Sequence, residues 1–303
     1  MKPRLFCMDW NGVIPDLSDE FEILDSGAEV LPDAVLLWND VLPTMIDIVK
    51  NAQMNGIPAF CMQHGIHGDP GLTEYTEHQK KPVSDYIFTW SDKSGEVYER
   101  EGWKKDRIVN IGCTLLRYEL PATPDGKTVI FAPDHLEDDP ARNIANLEKA
   151  KQIWKEIREI PGIRPIVKLL TAEHSNYDPA RGINFDGNVV WSDRRDGPLH
   201  VKKMFEILSN ASCVVVQEES TFSSMACKLD IPVISINEKE SRLKTSTEVK
   251  VEGVKEAVVK MLKEPWTKRE ERNSLVKDYV QPFNREKMVG FMKSVINSKL
   301  AVA

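Results

Sequence analysis

Short runs of Val, Ile, Phe and Leu alternate with longer amphipathic stretches from the first residues of this 303-residue chain almost to the last. That pattern marks βαβ units wound around parallel sheets. Strands are predicted near residues 4 to 8, 34 to 38, 58 to 63, 86 to 90 and 107 to 111. Leu42, Met45, Ile46, Ile48 and Val49 fall at helical spacings and Gly56 supplies a stop, so residues 41 to 55 predict a helix. A second, more regular set starts with TVIFAP (128 to 133) and a helix from Asn143 to Glu159. It continues through PIVKLL (165 to 170), NVVWS (188 to 192), a helix from Leu199 to Asn210, CVVVQ (213 to 217) and PVISIN (232 to 237). The remainder reads as helices over 251 to 263, 266 to 280 and 285 to 298. Between the two sets, LPATPDGK (120 to 127) concentrates two prolines and a glycine and marks a linker. The expected organisation is an α/β chain of two Rossmann-like domains, residues 1 to 122 and 123 to 270, followed by helices over 271 to 303.

Composition narrows the class. With 41% hydrophobic and 29% charged residues the chain reads as a soluble globular protein, and no apolar run approaches the length of a membrane span. The N-terminus enters a strand-like run at once, without an apolar stretch and small-residue cleavage site, so a cytoplasmic location is expected. Cys7, Cys61, Cys113, Cys213 and Cys227 are odd in number, form no CxxC pair and match no zinc template, which points to reduced thiols and no structural metal. A net charge of −7 argues against broad nucleic-acid binding, although local basic patches remain available to an anionic ligand.

Candidate chemistry gathers where strands end. In IPAFCMQHGIHGD (57 to 69) an apolar strand runs into Gln63, His64 and Gly65, placing a histidine at the C-terminal edge where open α/β sheets bind ligands. His64 suits a general base for a hydroxyl, and equally a histidine that hydrogen-bonds a loop carbonyl. Gly65 lets the backbone come close to a ligand, and His67, in the same loop, is placed to support His64 or bind substrate. His135 follows the strand TVIFAPD at a second such edge. Glu218, Glu219, Ser220 and Thr221 precede a short helix expected from Ser223 to Lys228, so hydroxyls and backbone N–H groups converge where an anion is favoured; the same residues also serve as a plain helix cap. Lys168 lies inside an apolar strand, where its charge requires a partner, either a phosphate or a carboxylate. Arg194 and Arg195, in the loop after NVVWS, suit a phosphate or carboxylate fork, but the plainer reading of two arginines in a loop is a solvated surface. MDWNGV (8 to 13) looks like the opening motif of haloacid dehalogenase-type phosphatases with Asp9 as nucleophile, but Asn11 stands where the second Asp belongs and no distal acidic pair follows, so the segment reads more simply as a first strand ending in a turn.

Five segments in order, GIPAFCMQHG, SDYIFTWSDKSGEVYEREGWKKDRIVNIG, TVIFAPDH, IVKLL and SNASCVVVQEESTFSSMACKLDIPVISI, give the chain from about residue 34 to 300 its character. In that order the chain resembles the GT-B glycosyltransferase superfamily. The nearest branch is the bacterial capsule and teichoic-acid transferases of the CDP-glycerol glycerophosphotransferase type; the UDP-N-acetylglucosamine 2-epimerases are more distant. The resemblance implies an acceptor-binding first domain, a donor-binding second domain, a cleft between them and a C-terminal helix crossing back to the first. It implies a metal-independent transferase with no cofactor beyond a nucleotide-sugar donor. The acceptor carries a free hydroxyl, its class being polysaccharide, lipid, nucleic acid or small molecule, and a homodimer is compatible. By position, His64 matches the catalytic base and Ser220 and Thr221 the donor-phosphate turn, while His135 and Lys168 line the cleft. One departure stands out: Met225 occupies the place of a carboxylate that holds the donor ribose in the resembling proteins, so either another group such as Glu218 or Glu219 holds it or the donor differs from theirs. The reading is a glycosyltransferase; the alternatives are a catalytically idle nucleotide- or partner-binding GT-B protein, a nucleotide-sugar epimerase or the phosphatase.

Overall fold

The computed structural model describes residues 2–9, 12–40, 42–63, 83–118, 120–133, 140–170, 189–192, 198–217, 220–236, 247–264 and 266–300. The chain divides into two compact units, Met1–Arg117 with Asp278–Ala303, and Tyr118–Lys277.

In the first unit, β1 (Arg4–Met8), β2 (Glu22–Leu24), β3 (Ala34–Leu37), α1 (Pro43–Met54), β4 (Ala59–Met62), β5 (Tyr86–Thr89), α2 (Asp92–Arg100) and β6 (Ile108–Asn110) follow one another. The sheet order is β2-β1-β3-β4-β5-β6, every pair parallel. β3 and β4 are buried at every position, as central parallel strands covered on both faces must be. α1 buries Met45, Val49 and Ala52, at helical spacing, and stops at Gly56, whose φ of 70° is readily adopted only without a Cβ. α2 starts at Ser91, whose hydroxyl accepts the Ser94 N–H at 3.0 Å; Asp92 in its first turn and Arg100 in its last complement the helix dipole. β2 was not anticipated, because three residues are too few to show a period.

The second unit runs β7 (Thr128–Ala132), α3 (Pro140–Arg158), β8 (Arg164–Leu170), β9 (Val189–Ser192), α4 (Pro198–Ser209), β10 (Cys213–Val216), α5 (Thr221–Lys228), β11 (Val233–Ser235), β12 (Thr247–Glu248), α6 (Val254–Lys263) and α7 (Trp266–Asn273). Its sheet is again parallel, in the order β12-β11-β10-β7-β8-β9. One face packs Val129, Phe131, Val167, Leu169, Cys213 and Val215 against Ile153, Trp154 and Ile157 of α3 and Val254, Val258 and Met261 of α6. The expected helix over 266 to 280 is instead α7 followed by a 3-10 turn, Ser274–Asp278, and the helix over 251 to 263 opens with another, Val251–Gly253.

The start of this sheet is stapled by Asp125, from the linker segment. Its carboxylate accepts the Lys127 and Thr128 N–H groups, the Thr128 hydroxyl and the Arg164 guanidinium, at 2.9, 2.6, 2.7 and 3.0 Å. Three N-terminal strand ends meet there, since Ser212 also donates to Asp125.

The chain returns to the first unit at Asp278 and ends in α8 (Arg285–Leu300). Phe291 of α8 meets the rings of Phe60, Tyr86 and Phe88 edge-on, with centroids 5.2 to 6.3 Å away, so the C-terminal helix covers one face of the first sheet.

Candidate functional site

His64, Gly65, His67, His135, Glu218, Glu219, Arg194 and Arg195 lie outside the described residues. Gln63, Lys168, Ser220 and Thr221 are described, and each has a definite setting.

Gln63 closes β4 and is fully buried. Its Oε1 accepts the Trp90 N–H at 2.8 Å, its Nε2 donates to the Ser94 hydroxyl at 3.3 Å, and its own N–H donates to the Phe88 carbonyl at 2.9 Å. The side chain thus ties the exit of β4 to the turn that opens α2. It fixes where the chain leaves the sheet, immediately before His64 in sequence.

In the second unit, Val167 and Leu169 point into the α3/α6 core, so the alternation of a strand turns Lys168 to the opposite face. There its Nζ lies 5.1 Å from the centroid of the Phe222 ring, in the first turn of α5, and only 8% of the residue is exposed. A buried ammonium at an aromatic face and a helix N-terminus is a concentrated positive site at the C-terminal edge of the sheet.

α5 begins at Thr221, two residues earlier than the sequence suggests, because the cap is built backwards. The Ser220 N–H donates to the Ser223 hydroxyl at 2.8 Å, and the Ser223 and Ser224 hydroxyls donate to the Ser220 carbonyl at 2.7 and 3.0 Å. Ser220 has extended backbone and is exposed; Thr221 is half-buried. The first-turn N–H groups of a helix have no carbonyl partner inside it, which makes this end an anion-binding surface. Met225 is wholly buried within α5.

Three further polar residues at strand ends were not singled out. Asp40, after β3, is buried and its Oδ2 accepts the Ser84 and Val83 N–H groups at 3.0 and 3.3 Å; an acid directly after an apolar run is the signal that marks it. Asn39 beside it is buried and accepts the Leu42 N–H. Gln217 follows β10 and donates to the Asn146 carbonyl of α3 at 3.1 Å.

The phosphatase reading meets a physical obstacle. Both Asp9 oxygens accept backbone amides, from Val13 at 3.1 Å and Ile14 at 2.8 Å, and Arg117 clamps the same turn through the Gly12, Val13 and Ile14 carbonyls. Asp9 closes a turn rather than presenting a nucleophile. Burial, reinforced by Asp9, pushes the Cys7 thiol up to about 12, and burial with Asp40 raises Cys61 well above its ordinary value, so neither is a thiolate nucleophile. None of the five cysteines forms a disulfide. Among the described residues no cluster of His, Cys, Asp and Glu could hold a metal, and no helix is long and apolar enough to cross a membrane.

Two parallel α/β units with the C-terminal helix returning to the first define the GT-B fold, and solved structures of that fold are similar to the chain. The UDP-GlcNAc 2-epimerase of Neisseria meningitidis, bound to UDP-GlcNAc, is 14% identical with a TM-score of 0.55 over 88% of this chain and 76% of that one. MnaA of S. aureus, in a UDP co-structure, is 13% identical with a TM-score of 0.62 over 100% of this chain and 98% of that one. The wall teichoic acid polymerase TagF is 12% identical with a TM-score of 0.53 over 89% of this chain and 73% of that one. No protein-family model matches the chain, and no curated protein matches it in sequence.

Proposed function

We propose that this protein is a glycosyltransferase that takes a sugar from a nucleotide-activated donor to an acceptor hydroxyl. The observation that supports it is the buried Lys168 ammonium beside the first turn of α5, with Ser220 exposed at that turn, a setting suited to a diphosphate. In this reading Lys168, Ser220 and Thr221, with Arg194 and Glu219, hold the donor. His64 takes the acceptor hydroxyl proton as the bond to the diphosphate breaks, and His135 stands by from the second unit. The positive helix end and Lys168 stabilise the departing negative charge without requiring a metal. Gln63 supports the reading indirectly, since it holds the strand end from which the His64 loop departs.

Thermal shift against UDP, CDP, GDP, ADP, TDP and CMP, with and without magnesium, tests the donor half, because a ligand that binds only the native state raises the melting temperature. A shift with one nucleotide that is lost in the Ser220→Ala/Thr221→Ala variant is expected; absence of any shift removes the proposal. His64→Ala is expected to abolish transfer and leave the nucleotide shift in place.

Epimerisation of a nucleotide sugar is the second reading, favoured by the UDP-N-acetylglucosamine 2-epimerases among the similar structures, that of Rickettsia bellii aligning over 98% of this chain and 98% of its own. Incubating UDP-GlcNAc in deuterated water without an acceptor separates the two. An epimerase that breaks the bond from C2 to hydrogen incorporates deuterium there, whereas a transferase leaves C2 untouched and turns over only with an acceptor.

A further inference from the structure

Phe222 serves the edge of the second sheet with both its backbone and its side chain. It is the second residue of α5, and the first amide to donate back along that helix is that of Ser224, to the Ser220 carbonyl at 3.1 Å. The Phe222 N–H therefore belongs to the first-turn groups that no carbonyl of the helix accepts. Its ring lies under the Lys168 ammonium, with Nζ 5.1 Å from the centroid. One residue thus joins the helix end and the lysine, the two features that favour a diphosphate.

The ring is fixed. Phe222 is only 4% exposed, and α5 buries it in one layer with Met225 and Ala226, both fully covered, so close packing denies the ring an alternative position. Lys168 stands two residues before Leu170, the end of β8. That is roughly 7 Å along a strand, a distance a lysine stem covers by lying on apolar surface with its head toward the edge.

An aromatic ring does something for an ammonium that an aliphatic side chain of similar size does not. A lysine head is otherwise a hydrated point charge on a flexible four-carbon stem. The negative face of the ring attracts it from one side, leaving the N–H bonds of the other side directed at whatever lies beyond. An ammonium ordered before the donor arrives does not have to be ordered by it, which strengthens binding without a new contact to the ligand.

We propose, resting on the donor role of Lys168 and Ser220, that Phe222 is a positioning residue of the donor site: its ring holds the Lys168 ammonium against the first turn of α5, where both meet the diphosphate of the nucleotide. Donor affinity then depends on the electron density of one buried ring.

Truncating Phe222 would open a cavity in the core and mix packing with electrostatics, so the test keeps the shape of the ring and drains its face. Mono-, di- and trifluorophenylalanine are incorporated at position 222 through an amber codon, in the parent chain and in Lys168→Met, with the fold verified by circular dichroism. Titration with UDP, CDP, GDP, ADP and TDP identifies the diphosphate that the parent binds. That compound and its bare nucleoside are then measured against both series by isothermal calorimetry, and by thermal shift at high nucleotide concentration for the weaker complexes. Diphosphate affinity is expected to fall with each added fluorine, by about threefold or more in the trifluoro protein, the size of a cation–π contact. In Lys168→Met the same replacements are expected to change nothing, an outcome that a ring acting through packing alone does not produce. Nucleoside affinity is expected to stay level throughout. Diphosphate affinity that is flat or rising along the parent series overturns the proposal, by assigning the ring to packing or to competition with the diphosphate. A fall of equal size in Lys168→Met also overturns it, because the effect would then bypass the ammonium. Both results leave the donor reading standing, since the parent binds the diphosphate in either case, whereas a parent that binds none of the five removes the donor reading and the role of Phe222 together.

Discussion

Gly112 and Pro282 approach so closely that a Cβ on Gly112 would lie 1.9 Å from the Pro282 carbonyl oxygen. The φ of Gly112 is 81°, so backbone conformation and space exclude a side chain together. This contact seats the returning chain on the first unit. Around it the Cys113 N–H donates to the Gln281 carbonyl at 2.9 Å and the Asn284 N–H to the Ile111 carbonyl at 2.7 Å. The Asn110 amide donates to the Gln281 Oε1 at 2.8 Å.

Gly112→Ala is expected to destabilise the protein by about 3 kcal/mol or more, because the strained φ and the backbone overlap act on one residue. Urea unfolding followed by circular dichroism measures this, and protease cleavage between residues 278 and 285 should increase in parallel. A variant as stable as the parent would show that the two segments separate at little cost.

Asp125 sets an acid limit on stability. Its partial burial disfavours the charge, but the Thr128 hydroxyl, the Lys127 and Thr128 amides and Arg164 outweigh that and hold the carboxyl down to about 2. Since the folded-state pKa lies below the unfolded value, the contribution is full above about pH 4 and is lost as pH falls toward 2. The side chain is 35% exposed, so solvent screening reduces a shift of this size to about 1–2 kcal/mol. Asp125→Asn should lower the melting temperature at pH 7 and flatten its decline between pH 4 and 2; a parallel decline in both proteins would locate the acid sensitivity elsewhere.

How far these features are legible in the sequence depends on whether they are local. β3, β4, β7, β8 and β10 are apolar runs and declare themselves. β2 and β12, of three and two residues, do not, because their existence depends on the neighbour that pairs with them. The start of α5 was misplaced since Ser223 and Ser224 reach back to Ser220, an arrangement that several Ser and Thr residues in one segment permit in more than one register. Lys168 is visible as a charge in an apolar strand, whereas its neighbour Phe222 comes from another element and is known only from the fold. Asp125 and Arg117 illustrate the same limit: Asp125 gathers the distant Arg164 guanidinium and Ser212 hydroxyl, and Arg117 the Val13 and Thr114 carbonyls, partners from separate parts of the chain that no spacing rule announces.

Asp230 follows α5 with a φ of 59°, and the N–H groups of Asp230 and Ile231 close the helix end on the Cys227 and Ala226 carbonyls. A left-handed residue at this position favours glycine, and a carboxylate here also faces the negative end of the helix dipole. Burial raises its pKa, Lys277 opposing and Glu270 adding to the rise. A raised folded-state pKa means that the folded form is favoured below the unfolded pKa and loses that advantage as pH rises through the folded value. Asp230→Gly should therefore stabilise by about 0.5–1 kcal/mol at pH 7, and by less below pH 4. Differential scanning fluorimetry across that range tests it; a destabilised variant would mean that the Lys277 pair, 3.9 Å away, outweighs the conformational cost.

Lys168 offers the sharpest test of the donor site, because two roles for it predict opposite outcomes. If its ammonium serves the fold through the Phe222 ring, Lys168→Met should lower the melting temperature markedly and leave nucleotide affinity in the folded protein unchanged. If it serves a diphosphate, Lys168→Met keeps the aliphatic stem and its packing and should leave the melting temperature nearly unchanged. Nucleoside diphosphate affinity should then fall by tenfold or more, about 1.5–3 kcal/mol, the range for a charge-assisted hydrogen bond. The nucleoside without phosphates should bind both proteins alike. Isothermal titration of the parent and Lys168→Met with the diphosphate and the bare nucleoside reads all of these. A diphosphate affinity equal in both proteins would remove Lys168 from the donor site and leave Ser220 and Thr221 to carry it.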